Sequence, residues 1–362
     1  MLQRRLLISA ATAGAAITAV PAIAQAQTSP ALPNVRWRLS SSFPKALDTI
    51  YGGAEYFADR VSKLTDGKFK ISTHAAGELN PPLQAFDAVS TNAVEMCQTV
   101  GFYAVGKDPA FQFDAAIPFG MNARQQNAWY YHGGGEKLLR ELHAQYNTIN
   151  FHGGNTGAQM GGWFKKDINS VADFKNLRFR IAGLSGDLVA KMGAIPQSIP
   201  GGETYGALEK GIIDAVEWIG PYDDEKLGFH KVAKNYYYPS FWEPGVQVSF
   251  IANLKEYEKL PQVYKEAIAS AAKETMVDMT AEYDAKNATA LLRLAGQGVQ
   301  FKRFPDDVLT SAKAAAAALF AEKSAQSENF KKIYASYEDF RKKQVTWWSF
   351  AERSMMNITS PR

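Results

Sequence analysis

Val35-Arg36-Trp37-Arg38-Leu39-Ser40 alternates apolar and polar side chains, the period of a β-strand with one buried face. The pattern then changes. Ile50, Ala54, Phe57, Val61 and Leu64 recur at helical spacing, and Gly67 marks where that helix stops. Lys68–Ser72 reads as a second strand, Pro81-Pro82 opens a short helix, and Val94–Val100 reads as a third strand. Strands alternating with helices predict an α/β fold with a largely parallel sheet.

A second unit begins near residue 150. Thr148–Phe151 reads as a strand leading into Gly153-Gly154-Asn155. Gln159–Phe164 and Leu177–Ile181 follow as strands, then a helix near Gly186–Met192, then a βα stretch ending at Val216. Gly220-Pro221 and Pro244-Gly245 punctuate the chain where it is expected to cross between lobes. From Asp306 to Met356 there is neither Gly nor Pro, and Phe330, Ile333, Tyr337 and Phe340 form one helical stripe. As a single helix this segment would run about 76 Å, against roughly 50 Å for the whole globule. It must break, wrap the body or project toward a partner.

The first residues change the picture of where the protein works. Met1-Leu2-Gln3-Arg4-Arg5 precedes an uncharged, mostly apolar run from Leu6 to Val20, and Ala24-Gln25-Ala26 follows. Basic start, apolar middle and Ala-x-Ala end predict a secretory signal over residues 1–26 and a periplasmic product. Arg4-Arg5 leaves both export routes open. Two of the 40 basic side chains lie in that segment, so 38 basic against 36 acidic ones follow it, a balance that gives nucleic-acid binding no support. No later segment reaches membrane-spanning length. Cys97 is the only cysteine, so no internal disulfide forms and a large core must hold the fold. It reads as a small buried hydrophobe.

Catalytic motifs are missing. His132-Gly133-Gly134-Gly135 resembles an oxyanion-hole loop, but the nearest nucleophile elbow, Gly183-Leu184-Ser185-Gly186-Asp187, fails at its last position. A glycine turn beside a helix is the better reading. The five histidines lack zinc spacing, and neither glycine-rich nucleotide signature occurs. Asp223-Asp224-Glu225 is more simply a helix start than an acid/base pair.

An ordered series of segments is specific where each alone is weak. Ser170-Val171-Ala172-Asp173-Phe174-Lys175-Asn176-Leu177-Arg178-Phe179-Arg180 is followed by Gly193-Ala194-Ile195-Pro196, then by Glu203–Glu217. With Ala76-Gly77-Glu78-Leu79 upstream, this series resembles the substrate-binding subunits of tripartite ATP-independent periplasmic (TRAP) transporters across nearly the whole chain. Glu217-Trp218-Ile219-Gly220-Pro221-Tyr222-Asp223-Asp224 resembles the branch of 2-oxoacid and lactate receptors in particular. The resemblance implies a two-lobed periplasmic binding protein fold with a ligand cleft between the lobes and a long C-terminal helix. The expected division is lobe 1 at 27–152 with parts of about 244–285, lobe 2 at 153–243 with parts of about 286–305, and a helical segment at 306–362. It further implies a small organic acid as ligand, TRAP permease subunits as partners, and a sodium or calcium cation bridging acid and protein. A homodimer exchanging C-terminal helices is implied as well.

The residues support this carry-over in different degrees. In Leu177–Ile181, Arg178 and Arg180 share one strand face. Arg178 reads as a surface charge. Arg180, at the strand end beside Ala182-Gly183, is placed where open α/β sheets bind ligands and can hold a carboxylate bidentately. Gln159 offers a carbonyl oxygen to a cation and an amide to an acid. Asn155 is a further ligand contact. Glu217 follows an apolar strand, so its carboxylate needs a cation or a salt bridge to Arg180, and both arrangements stay open. Phe102, Tyr103, Trp218, Phe241 and Trp242 could wall an apolar pocket, although aromatics are core by default. The metal set is Glu217, Gln159, Glu243 and backbone oxygen near Trp218, an all-oxygen shell suited to a hard ion.

A pyruvate-like monocarboxylate receptor is the leading expectation. A receptor for lactate or another hydroxy acid, a sensor receptor, and a periplasmic enzyme acting on an organic acid are the alternatives. The enzyme needs an acid/base pair that the sequence does not display.

Overall fold

Of the strand called by the first alternation, Trp37 and Leu39 point inward while Arg36 and Arg38 stay at the surface. In the computed structural model, which describes residues 32–360, this strand is β1, Val35–Ser41. The signal reading at 1–26 lies outside the described residues. The Ile50–Leu64 helix buries Ile50, Ala54, Phe57 and Val61. Leu64, the last residue of the expected stripe, is 43% exposed. Gly67, with φ of +71°, lets its N–H turn back to the Ser62 carbonyl at 2.8 Å and end the helix.

The remaining strands are β2 (Phe69–His74), β3 (Met96–Thr99), β4 (Thr148–Asn155), β5 (Gly162–Phe164), β6 (Arg178–Arg180), β7 (Ile195–Gln197), β8 (Ala215–Val216), β9 (Asn235–Tyr238), β10 (Gln247–Asn253) and β11 (Gln300–Arg303). They form two sheets, ordered β2-β1-β3-β10-β4 and β11-β9-β5-β8-β6-β7. Each sheet is the heart of one lobe of an α/β protein.

The sheets are mixed, which corrects the expectation of a largely parallel one. In the first, β10 runs antiparallel to both β3 and β4; in the second, β5 runs antiparallel to β8 and β9. Both antiparallel strands arrive directly from the other sheet, so no helical crossover on their own sheet sets their direction. The chain changes sheet between β4 and β5, between β9 and β10, and between β10 and β11. Pro244-Gly245 lies in the second of these connections. Gly220-Pro221 does not lie in any of them. It opens the Pro221–Leu227 helix between β8 and β9, where Pro at the first turn needs no N–H partner.

The last connection carries the Gln262–Gly296 helix, whose buried face includes Ala271, Met279 and Tyr283. The C-terminal segment breaks at Ser327, between helices Asp306–Gln326 and Glu328–Phe350. Ser327 is extended, and its Oγ accepts the Phe330 N–H at 3.0 Å. Asp108 accepts from Ser327 and Asn329 at the corner. Phe330, Ile333 and Tyr337 are thereby laid on the body, with the Tyr337 hydroxyl accepting the Met121 N–H at 2.7 Å. Beyond them Trp347, Phe350, Met355, Met356 and Ile358 are exposed, the last by 80%. Cys97 is fully buried in the core.

Candidate functional site

Alternation in β6 sorts its two arginines. Phe179 enters the core, and Arg178 turns to Asp214 with bonds of 2.6 and 2.9 Å at the surface. Arg180 is only 3% exposed. β8 runs parallel beside β6 with Arg180 opposite Val216, and the Glu217 N–H reaches the Arg180 carbonyl at 3.0 Å. Strand pairing therefore sets Arg180, Glu217 and Trp218 side by side at the ends of two strands, where α/β sheets place ligands. The guanidinium donates through Nε to the Ile199 carbonyl at 3.1 Å and through Nη1 to the Glu217 carbonyl at 2.5 Å. Its carbon lies 4.7 Å from the Trp218 ring centre.

Two glycines make room for the walls. Gly183, at φ of +59°, lies so close to Phe102 that a Cβ there would meet the Phe102 Cβ at 2.6 Å. A Cβ at Gly201 would meet the Trp218 ring at 2.2 Å. Phe102 and Tyr103 follow β3, Gln159 lies in the β4–β5 connection, and Glu243 lies in the β9–β10 connection. Segments attached to both sheets thus line one pocket of about 310 Å³, part of it open to solvent.

Seven of the residues singled out above line it: Phe102, Tyr103, Gln159, Arg180, Glu217, Trp218 and Glu243. Asn155 does not. Its Oδ1 accepts the Gly157 N–H at 2.9 Å and its amide faces Gln247, so it shapes the turn entering the site. Phe241 and Trp242 do not line it either. They pack with Phe304 in the core, and Trp242 also meets Phe179 edge-on. Sequence reasoning missed Phe43, Ile50, Val100, Thr156, Ile219 and Val246. The five apolar ones carry no signal that separates a pocket wall from core. Thr156, next to the glycine-rich Gly153-Gly154-Asn155 stretch, was the one with a polar clue.

Charge does not balance inside. Among the described residues lining the pocket, Arg180 is the one cation, facing Glu217 and Glu243, each 2% exposed. Burial pushes the Glu217 carboxyl well above the usual range, the Glu243 charge adds to this, and Arg180 opposes it. Burial also raises Glu243, to about 7, against the pull of Arg180. The direct Arg180–Glu217 pair is present but long, Nη1 to Oε2 at 3.3 Å. Glu217 Oε1 and Gln159 Oε1 are buried and accept no bond from any described residue. Thr156 fixes the Gln159 amide. Its hydroxyl donates to the Gly157 carbonyl at 3.3 Å, so it accepts from Gln159 Nε2 at 2.8 Å and leaves Oε1 free.

Two unpartnered oxygens beside a raised carboxyl fit a hard cation. Among the described residues, no group of three or more His, Cys, Asp or Glu side chains could hold a metal. An ion here would be held by Glu217, Gln159, Glu243 and backbone oxygen, with the remaining oxygens from a ligand. Nor is any described helix long and apolar enough to cross a membrane.

Residues 40–328 match the family described as bacterial extracellular solute-binding protein, family 7. The chain belongs to this family. A relative from Nostoc sp. (strain PCC 7120), named monocarboxylate 2-oxoacid-binding periplasmic protein, is 44% identical over 99% of each chain. A TRAP transporter solute-binding protein from Bordetella bronchiseptica RB50, solved as a dimer with calcium and picolinate, is 46% identical. It superposes with a TM-score of 0.89 over 90% of this chain and 97% of its own. A TRAP periplasmic solute-binding protein from Pseudoalteromonas atlantica T6c, solved with sodium and pyruvate, is 35% identical. Its TM-score is 0.87 over 91% of this chain and 100% of its own. Members of family 7 are receptors that bind solutes, and the two-lobed fold with a pocket reached from both sheets accords with that role.

Proposed function

We propose that the chain is the periplasmic receptor of a TRAP transporter, binding a small 2-oxoacid such as pyruvate together with a sodium or calcium ion and delivering it unchanged to membrane permease subunits. One observation carries the reading: Glu217 Oε1 and Gln159 Oε1 are buried without a partner beside Arg180. A 2-oxoacid complements this set. Its carboxylate suits the Arg180 guanidinium, and its keto and carboxylate oxygens can chelate a hard ion shared with the two free oxygens. The ion would neutralise the carboxylates that otherwise face an anion in a dry pocket. Phe102, Tyr103 and Trp218 would wall the short acyl tail. The pyruvate and picolinate of the relatives share an acid group next to a second donor atom.

The lobes would be 27–152 with parts of 244–285 and 153–243 with parts of 286–305, with 306–362 as the helical extension. The exposed apolar residues of that extension support a homodimer through the C-terminal helix. Membership in a family of solute-binding receptors supports a receptor and not an enzyme. A hydroxy acid such as lactate would use the same contacts. Calorimetry with pyruvate and lactate in chelator-treated, sodium-free buffer, with each ion then restored, tests the reading. Full affinity without either ion overturns the cation, and a ligand recovered chemically altered overturns the receptor.

A further inference from the structure

A second cavity lies away from the pocket just described. It is formed by the Ala123–His132 and Gly135–Ala144 helices, β4 and the Gln262–Gly296 helix, and it offers about 270 Å³ of space, part of it open to solvent. Three of its lining residues carry a buried polar atom with no partner among the described residues: Tyr130 Oη, Arg140 Nε and His152 Nδ1. Tyr130 and His152 are each 1% exposed, and their rings stack at 3.5 Å. Unpartnered groups of this kind are uncommon in a folded interior, and three on one small cavity ask for an occupant.

The donors and acceptors define its chemistry. Arg140 gives one edge to Glu136 at 2.9 Å, and its guanidinium stands 4.9 Å from the Phe151 ring, which leaves the Nε–H unspent. Lys273, on the rim, lies over the Tyr131 ring at 4.9 Å. With Arg140 and Lys273 against Glu136, the lining is net positive. The Tyr130 hydroxyl can donate as well. His152 supplies the opposite need. Its Nε2 lies 2.9 Å from Asp114 Oδ1, which also accepts from Asn150 and Ser249, each at 3.0 Å. His143 Nε2 holds the other Asp114 oxygen at 3.0 Å. An ionised Asp114 makes Nε2 the protonated nitrogen of His152, so Nδ1 presents a lone pair to the cavity.

We propose that this cavity is a second binding site, specific for a small oxyanion that carries one O–H of its own, of which hydrogen phosphate is the simplest. Its bare oxygens take the Arg140 Nε–H, the Tyr130 hydroxyl and the Lys273 ammonium, while its P–OH donates to His152 Nδ1. Sulfate, of the same size and shape, has no proton to give and would set its lone pairs against that of His152. The site therefore separates phosphate from sulfate by one hydrogen bond.

The test is calorimetric titration of the intact protein near pH 7.5 with inorganic phosphate and, separately, with sulfate. Phosphate is expected to bind at least ~10-fold more tightly than sulfate, the ratio that corresponds to one hydrogen bond. Tyr130→Phe and Lys273→Met should each weaken phosphate ~10-fold and leave organic-acid binding at the Arg180 pocket unchanged. Tyr130→Phe removes a hydroxyl without a partner, so its thermal midpoint without phosphate should not fall, which separates a lost ligand contact from a lost fold. Equal affinity for the two anions, phosphate affinity untouched by both substitutions, or a crystal soaked in phosphate with only ordered water in the cavity would each overturn the proposal.

Discussion

The Arg180 guanidinium lies over the Trp218 indole, 4.7 Å from its centre, while two of its nitrogens donate to the backbone carbonyls of Ile199 and Glu217. A cation fixed on three sides in this way would meet a carboxylate, as proposed above, with little side-chain freedom left to lose on binding.

Replacing that fork should show its value. Arg180→Lys keeps a charge but loses the planar pair of donors and the ring contact. Acid affinity is expected to drop by about 2–3 kcal/mol, read by calorimetry, with circular dichroism unchanged. Unaltered affinity would remove Arg180 from the site.

Glu217→Gln separates the ion from the fold. Gln resembles the protonated carboxyl that burial favours in the empty pocket, so the thermal midpoint without ligand should hold or rise at pH 7. Acid affinity should fall, and its dependence on added sodium or calcium should shrink. A variant with the full ion dependence would exclude Glu217 as a ligand.

The pocket carboxyls also set a pH dependence. Glu243 is raised from 4.5 to about 7. Folding therefore favours its protonated form: there is no penalty below about 4.5, and stability falls as pH rises through about 7. Asp223, raised to about 7, and Asp224, raised to about 6, both by burial, act in the same direction. Urea midpoints of the ligand-free protein should decline as pH rises from about 4.5 to about 7. In Glu243→Gln the decline should be smaller by the part Glu243 contributes. Saturating acid and ion should remove the part due to Glu243, because the ion compensates that carboxylate, and leave the part due to Asp223 and Asp224. A midpoint rising over that range contradicts the assignment.

Asp114 behaves oppositely. Burial would raise it, but hydrogen bonds from His143 and His152 outweigh burial and hold it well below its ordinary 3.8. Its contribution is present above that value and is lost as pH falls beneath it. Asp114→Asn leaves donors on His143, Asn150, His152 and Ser249 competing for one oxygen, and should destabilise by about 3–5 kcal/mol in urea melts.

The exposed Trp347, Phe350 and Ile358 predict self-association. Sedimentation should report a dimer at micromolar concentration, and Phe350→Ser with Ile358→Ser should shift it to monomer with acid affinity kept. A wild-type chain that sediments as a monomer throughout would refute it.

Much of this protein is legible along the chain, because the information is local. The alternation at Val35–Ser40 specifies a strand with Trp37 and Leu39 inside, and the helical stripe at Ile50–Val61 specifies its buried face. Glu217 next to Trp218, and Arg180 at a strand end, announced the pocket through residue type and position. Strand direction was not legible: whether β10 runs with or against its neighbours depends on which sheet the chain came from. The division of the aromatics was hidden for the same reason. Phe102 and Trp218 line the pocket while Phe241 and Trp242 fill the core, although all four are large, apolar and buried. Burial fixes that such side chains leave water, and only the packing of distant segments decides whether they face a ligand or each other. The free oxygen of Gln159 arises the same way, from a threonine hydroxyl three residues away whose own proton is taken by Gly157. A residue's type states what it can bond; the tertiary fold determines which bonds are already made, and so what remains for a ligand.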